Sequence, residues 1–318
     1  MNYRYMYLFS FFILNCIYES NATSVSRRHI LKSGAVGGLS WFVRPKVGSS
    51  IINGAEVSQA EAASAGAVGL WIDLKNCDVC RHDVPAACSG VLIAPDLILS
   101  AKHCVEIPES LNGTLERAIF SNNIFDLNAP SIPIIDFKKA SEYGVSAAGD
   151  LLLIKLARRA PPNWIIQRLS FNFRDYLMQK KTSIGASTQY DELINRDLMA
   201  YGYGDTTDDF FSYSSGVLKR LIIRPTTNIF SEFFYTLPKN KSQGTCHGDS
   251  GGAAILQPKN GKGSPVILGI LSSTSMPCAG SSSAFVNPDA FREFIVRASA
   301  DLGSPISVTD SSNWEGDF

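Results

Sequence analysis

The sequence predicts an all-β fold, a sandwich or a barrel, and three observations lead to that prediction. From Ile51 onward the chain is dense in short runs of β-branched residues and leucine. Gly, Pro, Asn and Ser separate these runs, which is typical of all-β architectures. Only one segment, near the C-terminus, has a strong helical pattern, and no internal repeat is visible.

The predicted elements follow one another along the chain. Six segments have the strand pattern: AGAVGLWIDL, SGVLIAPDLILSA, DLLLIKL, LMAYGYG, VLKRLIIRP and PVILGILSS. The polar segment 163–196 is interpreted as a long surface connection, with a partly helical segment as the alternative. A helix is predicted at 287–302, because Asn287 is a good N-cap residue and Pro288 suits the first helical position. The polar, acidic tail 303–318 is expected to be flexible.

Composition and charge exclude several classes of protein. Of the 318 residues, 45% are hydrophobic and 18% are charged, so we expect a sizeable core and no bulk disorder. The formal net charge is zero and no basic block occurs, which argues against a nucleic-acid partner. No apolar run reaches the roughly 20 residues of a membrane-spanning helix, so no stable span is expected in the mature form.

Residues 1–50 are interpreted as an export signal, a propeptide or both. An apolar run at 7–18 follows a basic residue, as in general secretory signals. Further on, SRRHILK at 26–32 is similar to the twin-arginine export motif of bacteria. Both alternatives predict a secreted or periplasmic protein.

Six cysteines follow the leader, and an even number in an exported chain suggests disulfide bonds. The six are Cys77, Cys80, Cys88, Cys104, Cys246 and Cys278. The sequence alone does not determine which of them pair. Cys77 and Cys80 form a C-x-x-C with His82 nearby. Because a closed zinc site needs four ligands and three are visible, a small loop disulfide is the favoured interpretation.

The residues with the clearest chemistry lie in GTCHGDSGGAAI, at 244–255. An acid and a serine stand side by side there among four glycines, on a backbone that only glycine can make so tight. The pattern G-x-S-x-G also marks the nucleophile of α/β-hydrolases, but that fold places a histidine after the serine. None follows Ser250, so a catalytic base must lie upstream.

His103 is the favoured base, because Cys88 and Cys104 bracket the strand pair that leads to it. A disulfide there would fix the histidine backbone, and a misplaced general base loses rate steeply. Asp150, at the mouth of the apolar strand in AAGDLLLIKLA, is the candidate for orienting the imidazole. The order His103, Asp150, Ser250 is the order in chymotrypsin-like proteases.

Over 51–300 the chain resembles the trypsin/chymotrypsin family of serine endopeptidases. IING resembles the family's activation N-terminus, SAKHC its histidine box, GDLLLIKL its aspartate box and GTCHGDSGGA its serine box. YGYG and ILGILSS resemble two further strand motifs. The resemblance implies two six-stranded antiparallel barrels, roughly 51–160 and 161–286, within a peptidase domain 51–302.

The resemblance also implies a role for each matched residue. Ser250 would be the nucleophile, His103 the general base and then acid, and Asp150 the group that holds the imidazole tautomer. The backbone amides of Gly248 and Ser250 would form the oxyanion hole. The partners expected on this basis are protein or peptide substrates and protein inhibitors, with no cofactor and no metal.

Asp249 would form a buried ion pair with the α-ammonium that cleavage before Ile51 releases. The preceding residues Gly48 and Ser50 are small, as signal peptidases prefer. Removal of the leader would then produce active enzyme without a separate activating protease.

The specificity pocket implied by the resemblance has Gly244 at its base and Thr274 and Ser283 in its walls. Cys246 would pair with Cys278 across the same region. No acidic residue occurs from 271 to 286, so a buried basic side chain would lack a partner. We therefore expect a preference for small or medium apolar residues before the scissile bond. The alternative function is a catalytically silent homologue that acts as a protein-binding module.

Overall fold

A computed structural model describes residues 51–74, 86–110, 112–146, 149–171, 173, 196–206, 216–227, 229–258 and 265–306. These residues belong to one compact unit. The predicted leader 1–50, the Cys77 and Cys80 pair, His82 and most of the predicted tail lie outside the described residues.

The first barrel is closed by six antiparallel strands in the order β2-β3-β4-β7-β6-β5. In chain order the strands are β2 (Ala67–Asp73), β3 (Ala86–Ala94), β4 (Leu97–Ser100), β5 (Thr114–Ile119), β6 (Ser131–Lys139) and β7 (Leu152–Leu156). The central pair β4 and β7 is almost fully buried, with Leu99 opposite Leu153. Burial on both faces explains why these strands read as continuous aliphatic runs in the sequence.

The second barrel is also six-stranded, because β9 pairs with both β12 and β10 and so closes the circuit β9-β12-β13-β14-β11-β10. Its strands are β9 (Leu198–Gly202), β10 (Lys219–Pro225), β11 (Phe233–Pro238), β12 (Ala253–Leu256), β13 (Val266–Thr274) and β14 (Ser283–Val286). Its neighbouring strands are all antiparallel. The prediction of two six-stranded antiparallel barrels is confirmed.

Two short strands attach to the second barrel. Strand β1 (Ala55–Glu56) pairs with β10, and β8 (Arg168–Leu169) runs parallel to β13. Ile51 is fully buried in the apolar core of the same barrel. Residues 51–56 therefore lie with the second barrel, whereas the sequence predicts that the first barrel begins at residue 51 and extends to about residue 160. The burial of one large apolar side chain and a two-residue strand pairing account for this position.

Helices lie outside the barrels. Helix α1 (Gln59–Ser64) is capped by the Ser58 hydroxyl, and α2 (His103–Ser110) follows β4. A 3-10 turn at Ala140–Tyr143 precedes β7. At the C-terminal end a 3-10 turn, Pro288–Phe291, leads into α3 (Arg292–Asp301).

The C-terminal helix is confirmed. The Asn287 side chain accepts a hydrogen bond from the Asp289 amide at 3.0 Å, as its predicted capping position requires. Among the described residues, the helices are all too short or too polar to cross a membrane.

Candidate active site

His103 and Asp150 form a doubly hydrogen-bonded pair on the first barrel. His103 is the first residue of α2, and the adjacent Cys104 is bonded to Cys88 in β3. The backbone amide of His103 donates to Asp150 Oδ1 at 3.0 Å. Its ring Nδ1 lies 2.7 Å from Asp150 Oδ2. The carboxylate therefore determines both the position and the orientation of the imidazole.

A third group reaches this pair from the second barrel. The Ser272 hydroxyl, in β13, donates to Asp150 Oδ2 at 2.6 Å. Asp150 Oδ2 thus accepts hydrogen bonds from the histidine ring and from the serine. The Asp150 carboxylate links the two barrels at this point.

The pKa values of the pair move in opposite directions. Burial alone would lower the pKa of His103, but the charge of Asp150 and its hydrogen bond raise that pKa above its ordinary value. Burial alone would raise the pKa of Asp150, but the charge and hydrogen bonds of His103, together with the hydrogen bond from Ser272, lower it to about 2. Glu106 and Lys102 form an ion pair at 3.3 Å and act on the His103 pKa in opposite directions.

Ser250 lies against the chain segment that leads to His103. Its carbonyl oxygen accepts a hydrogen bond from the Ser89 amide at 2.8 Å and lies 3.7 Å from Cys104 Sγ. The next residue, Gly251, packs so closely on the end of β4 that a Cβ would clash with Ser100 Oγ. The structure thus brings the serine loop of the second barrel against β3, the end of β4 and Cys104, the residue that follows His103.

The backbone of 247–250 is held by its carbonyl groups, all four of which accept a hydrogen bond. In chain order their donors are Asp205 N (2.6 Å), Ser89 Oγ (3.0 Å), Gly252 N (2.9 Å) and Ser89 N (2.8 Å). In a trans peptide the N–H points away from the C=O. The amides of Gly248 and Ser250 therefore point away from these bonds, and neither donates to an acceptor among the described residues.

Asp249 is completely buried beneath this loop. Its carboxylate accepts from the amides of Cys246 at 2.7 Å and Gly204 at 2.8 Å. A Cβ at Gly202 or Gly204 would clash with the Asp249 side chain, which explains the two glycines of YGYG. Burial outweighs the two hydrogen bonds and raises the pKa of Asp249 to about 8. In the intact chain the nitrogen of Ile51 is a peptide nitrogen, so it supplies no ammonium group.

Three hydroxyl groups meet where the sequence predicts the specificity pocket. Thr245 Oγ1 lies 2.5 Å from Thr274 Oγ1 and 2.7 Å from Ser283 Oγ, and the last two are 3.5 Å apart. We call this set the hydroxyl triangle. A Cβ at Gly244 would clash with the carbonyl of Cys278, so glycine is required there for steric reasons.

One grouping of metal-type ligands occurs among the described residues, and its chemistry does not fit a metal. Ligand atoms of Cys246, His247 and Cys278 lie within 4.8 Å of one another. The two sulfurs, however, are joined in a disulfide bond. A metal prefers the thiolate form of cysteine, which the disulfide removes.

Three hydroxyl-bearing residues of this region were missed by sequence reasoning, namely Ser89, Thr245 and Ser272. Each lies next to a recognised motif: after Cys88, inside GTCHGDSGGA, and at the end of ILGILSS. That proximity is the only signal in the sequence, because serine and threonine occur mostly on protein surfaces.

Comparison with known proteins places the chain in a family. The family model described as Trypsin matches residues 81–295, which is more than half of the chain. A search of curated proteins found no significant match. The match covers five of the six strands of the first barrel, since β2 precedes it, and all six strands of the second. It includes the segments that contain His103, Asp150 and Ser250. The chain belongs to the trypsin family of serine proteases.

Proposed function

We propose that the protein is an exported serine endopeptidase that cleaves peptide bonds through an acyl-enzyme. The observation that supports this most directly is the hydrogen-bonded pair of His103 and Asp150 beside the loop of Ser250. The family match supports a serine-protease-like function in general. Protein or peptide substrates and protein inhibitors are the proposed partners.

In the proposed first half-reaction, Ser250 Oγ attacks the carbonyl carbon of the scissile bond. His103 takes the hydroxyl proton on Nε2 while Nδ1–H remains donated to Asp150. Because the charge of Asp150 raises the pKa of His103, the imidazolium that forms is stabilised. The ionised carboxylate does not take up the proton, which agrees with its pKa of about 2.

The tetrahedral intermediate carries a negative oxygen that must be stabilised. The amides of Gly248 and Ser250, left without an acceptor among the described residues, are the proposed donors. Loss of one such donor typically lowers kcat by about 100- to 1000-fold. His103 then protonates the leaving amine as the C–N bond breaks. Water, which gives a proton to His103, attacks the acyl carbon, and Ser250 Oγ leaves and takes that proton back from His103.

The proposed substrate preference follows from Gly244 and the hydroxyl triangle. Without a carboxylate at the base, a buried Lys or Arg side chain of the substrate would have no charge partner. The close approach of Thr245, Thr274 and Ser283 narrows the slot. We propose that small or medium apolar residues occupy the position before the scissile bond.

Activation is proposed to coincide with removal of the leader. Ile51 has a φ of 52°, a left-handed value that a β-branched residue adopts only under strain. This torsion exists only while residue 50 is attached, so cleavage of that bond removes the constraint. The ammonium group thus released is proposed to pair with Asp249, whose buried carboxylate has a pKa raised to about 8 without it.

Two measurements on the exported protein test this proposal. Labelling with a serine-directed phosphonate is expected in the wild type and not in Ser250→Ala, together with loss of peptide hydrolysis in the variant. N-terminal sequencing is expected to begin at Ile51. A folded wild type that neither binds the phosphonate nor cleaves peptides would instead support a silent homologue. An active species that begins well before Ile51 would contradict the activation mechanism alone.

A further inference from the structure

Ser89 makes contacts that no motif of the sequence indicates. It lies in β3 of the first barrel, next to the disulfide-bonded Cys88, and is only 1% exposed. Its amide donates to the Ser250 carbonyl at 2.8 Å, and its hydroxyl donates to the Gly248 carbonyl at 3.0 Å. The same hydroxyl accepts from the Tyr203 amide at 3.0 Å. One residue of the first barrel thus contacts two segments of the second.

The direction of these hydrogen bonds is fixed by chemistry. A serine hydroxyl has one proton to donate and lone pairs to accept. The Tyr203 amide can only donate, so the Ser89 proton is available for the Gly248 carbonyl, which can only accept. The side chain therefore holds a backbone N–H and a backbone C=O at the same time.

The carbonyl that Ser89 holds belongs to the Gly248–Asp249 peptide, between the two proposed oxyanion donors. At its other end this peptide is held by the bond from Asp249 N to Cys246 O at 3.2 Å. Gly248 has a φ of 85° and no Cβ, so side-chain sterics do little to prevent this peptide from rotating. Besides the close packing of Gly204, the hydrogen bonds to this peptide restrain it, and of these only the one from Ser89 comes from a side chain.

We propose that Ser89 is a positioning residue that keeps the amides of Gly248 and Ser250 converging on the substrate oxyanion. Its hydroxyl fixes the peptide between them, and its own amide fixes the carbonyl of Ser250 just beyond. This inference rests on the proposed peptidase activity. Its tests include one measurement that does not need turnover.

The chain offers a closely matched control for Ser89. Ser299, in α3, is also buried, and its hydroxyl donates to the Val296 carbonyl at 2.8 Å and accepts from the Ile306 amide at 2.9 Å. It has the same two types of partner as Ser89 but lies in the C-terminal helix. Ser299→Ala therefore removes an equivalent pair of hydrogen bonds without touching the loop of Ser250.

The kinetic test compares Ser89→Ala with Ser299→Ala on one peptide substrate. In Ser89→Ala we expect kcat to fall about 10- to 100-fold, less than the loss of a whole oxyanion donor, with KM changed by less than about threefold. A peptide aldehyde, whose adduct places an oxyanion in the same site, should bind more weakly by a similar factor. Ser299→Ala should keep its kcat. An unchanged kcat in Ser89→Ala, or a loss found only in KM, would overturn the proposal.

Two further arms make the test independent of folding defects and of activity. Ser89→Thr and Ser89→Val have nearly the same shape, and only the threonine variant should retain kcat. Exchange of the Asp249 amide, which is hydrogen-bonded to the Cys246 carbonyl, should be faster in Ser89→Ala than in the wild type or Ser299→Ala, even if no turnover occurs. Equal exchange in all three proteins overturns the positioning role, whereas a wild type without turnover contradicts only the proposed activity.

Discussion

The two halves of the candidate site are built in different ways. The histidine half depends on side chains: Asp150 is held by His103 and by Ser272 through polar atoms beyond Cβ. The serine half, 247–252, is held through its backbone carbonyls, one of them by the Ser89 hydroxyl, and through glycines that leave no room for a Cβ. Charge determines the first arrangement, and steric fit together with hydrogen bonds to the backbone determines the second.

This difference implies that the halves respond to different substitutions. A change of one polar atom should damage the histidine half while the fold remains intact. The serine half should tolerate changes of surface charge but not an added methyl group. Substitutions in each half therefore test whether the two mechanisms are separate.

The largest effect is expected from Asp150→Asn. The amide side chain is nearly the same size, but it has no charge and can donate to His103 Nδ1, which favours the wrong imidazole tautomer. We expect kcat to fall by about 10,000-fold. Steady-state hydrolysis of a peptide ester measures the loss.

The control for this variant is its thermal unfolding. Because the shape is kept, the midpoint should remain within a few degrees of the wild type. A variant that keeps more than a tenth of wild-type kcat would show that charge is not what the histidine half requires.

The second effect is expected from Gly204→Ala in the serine half. The added Cβ would clash with the His247 carbonyl and the Asp249 amide. Overpacking of this kind costs about 1–3 kcal/mol of folding free energy. Displacement of the loop should also cost about 100- to 1000-fold in kcat, as loss of an oxyanion donor does.

Gly303→Ala is the control. Gly303 also has a backbone conformation that favours glycine, but it lies beyond α3 and away from the serine half. Its φ is 69°, and nothing lies within 4 Å of an added Cβ. It should lose some stability through backbone strain and keep its activity. Equal activity in Gly204→Ala and Gly303→Ala would contradict the steric account of the serine half.

The sequence predicts several of the strands that are buried on both faces, but not the equally buried β12, two of whose four residues are alanines. Strands β4, β7 and β13 appear as continuous aliphatic runs in the sequence, and the pattern predicts each of them as a strand. Strands β6 and β11 are not predicted, because every second residue of β11 is exposed and β6 contains Pro133 and charged residues. Alternating burial dilutes the apolar signal of a short strand.

The residues of the candidate site also differ in how well the sequence predicts them. His103, Asp150 and Ser250 stand in segments whose composition is unusual, and the glycines around Asp249 have a steric cause. Ser89 could not be found in this way. A buried serine and an exposed serine have the same sequence signature, and contacts between β3 and residue 248 depend on the assembly of two barrels.

The third prediction concerns selectivity at the hydroxyl triangle. Thr274→Gly removes the whole side chain, the Cβ with its hydroxyl and methyl groups, and leaves Thr245 bonded to Ser283. Because one added or missing methylene group in a pocket changes selectivity by about 10- to 200-fold, cleavage after Leu or Phe should gain by that order relative to Ala. A library of peptides varied at this position measures the ratio.

The same peptide library measures the selectivity of the wild-type protein. The wild type should prefer small or medium apolar residues. Preferred cleavage after Arg or Lys would contradict the assignment of Gly244 to the bottom of an uncharged specificity pocket. An unchanged Leu-to-Ala ratio in Thr274→Gly would show that the triangle does not limit the width of the slot.

The smallest effect is expected from Ser272→Ala, which alters the histidine half by a single hydrogen bond. Ser272 donates to the carboxylate oxygen that also faces His103 Nδ1, and so it withdraws negative charge from the pair. Without it, His103 meets a more negative carboxylate, and its pKa, already raised, should rise further. The base must be neutral to accept the serine proton, so kcat/KM falls as pH drops through this pKa. The acidic limb of the pH profile should therefore move to higher pH, with kcat at the plateau lowered by about tenfold or less. A limb that moves to lower pH would mean that Ser272 acts by steric support of β13, and the contrast between a half governed by charge and a half governed by fit would not hold.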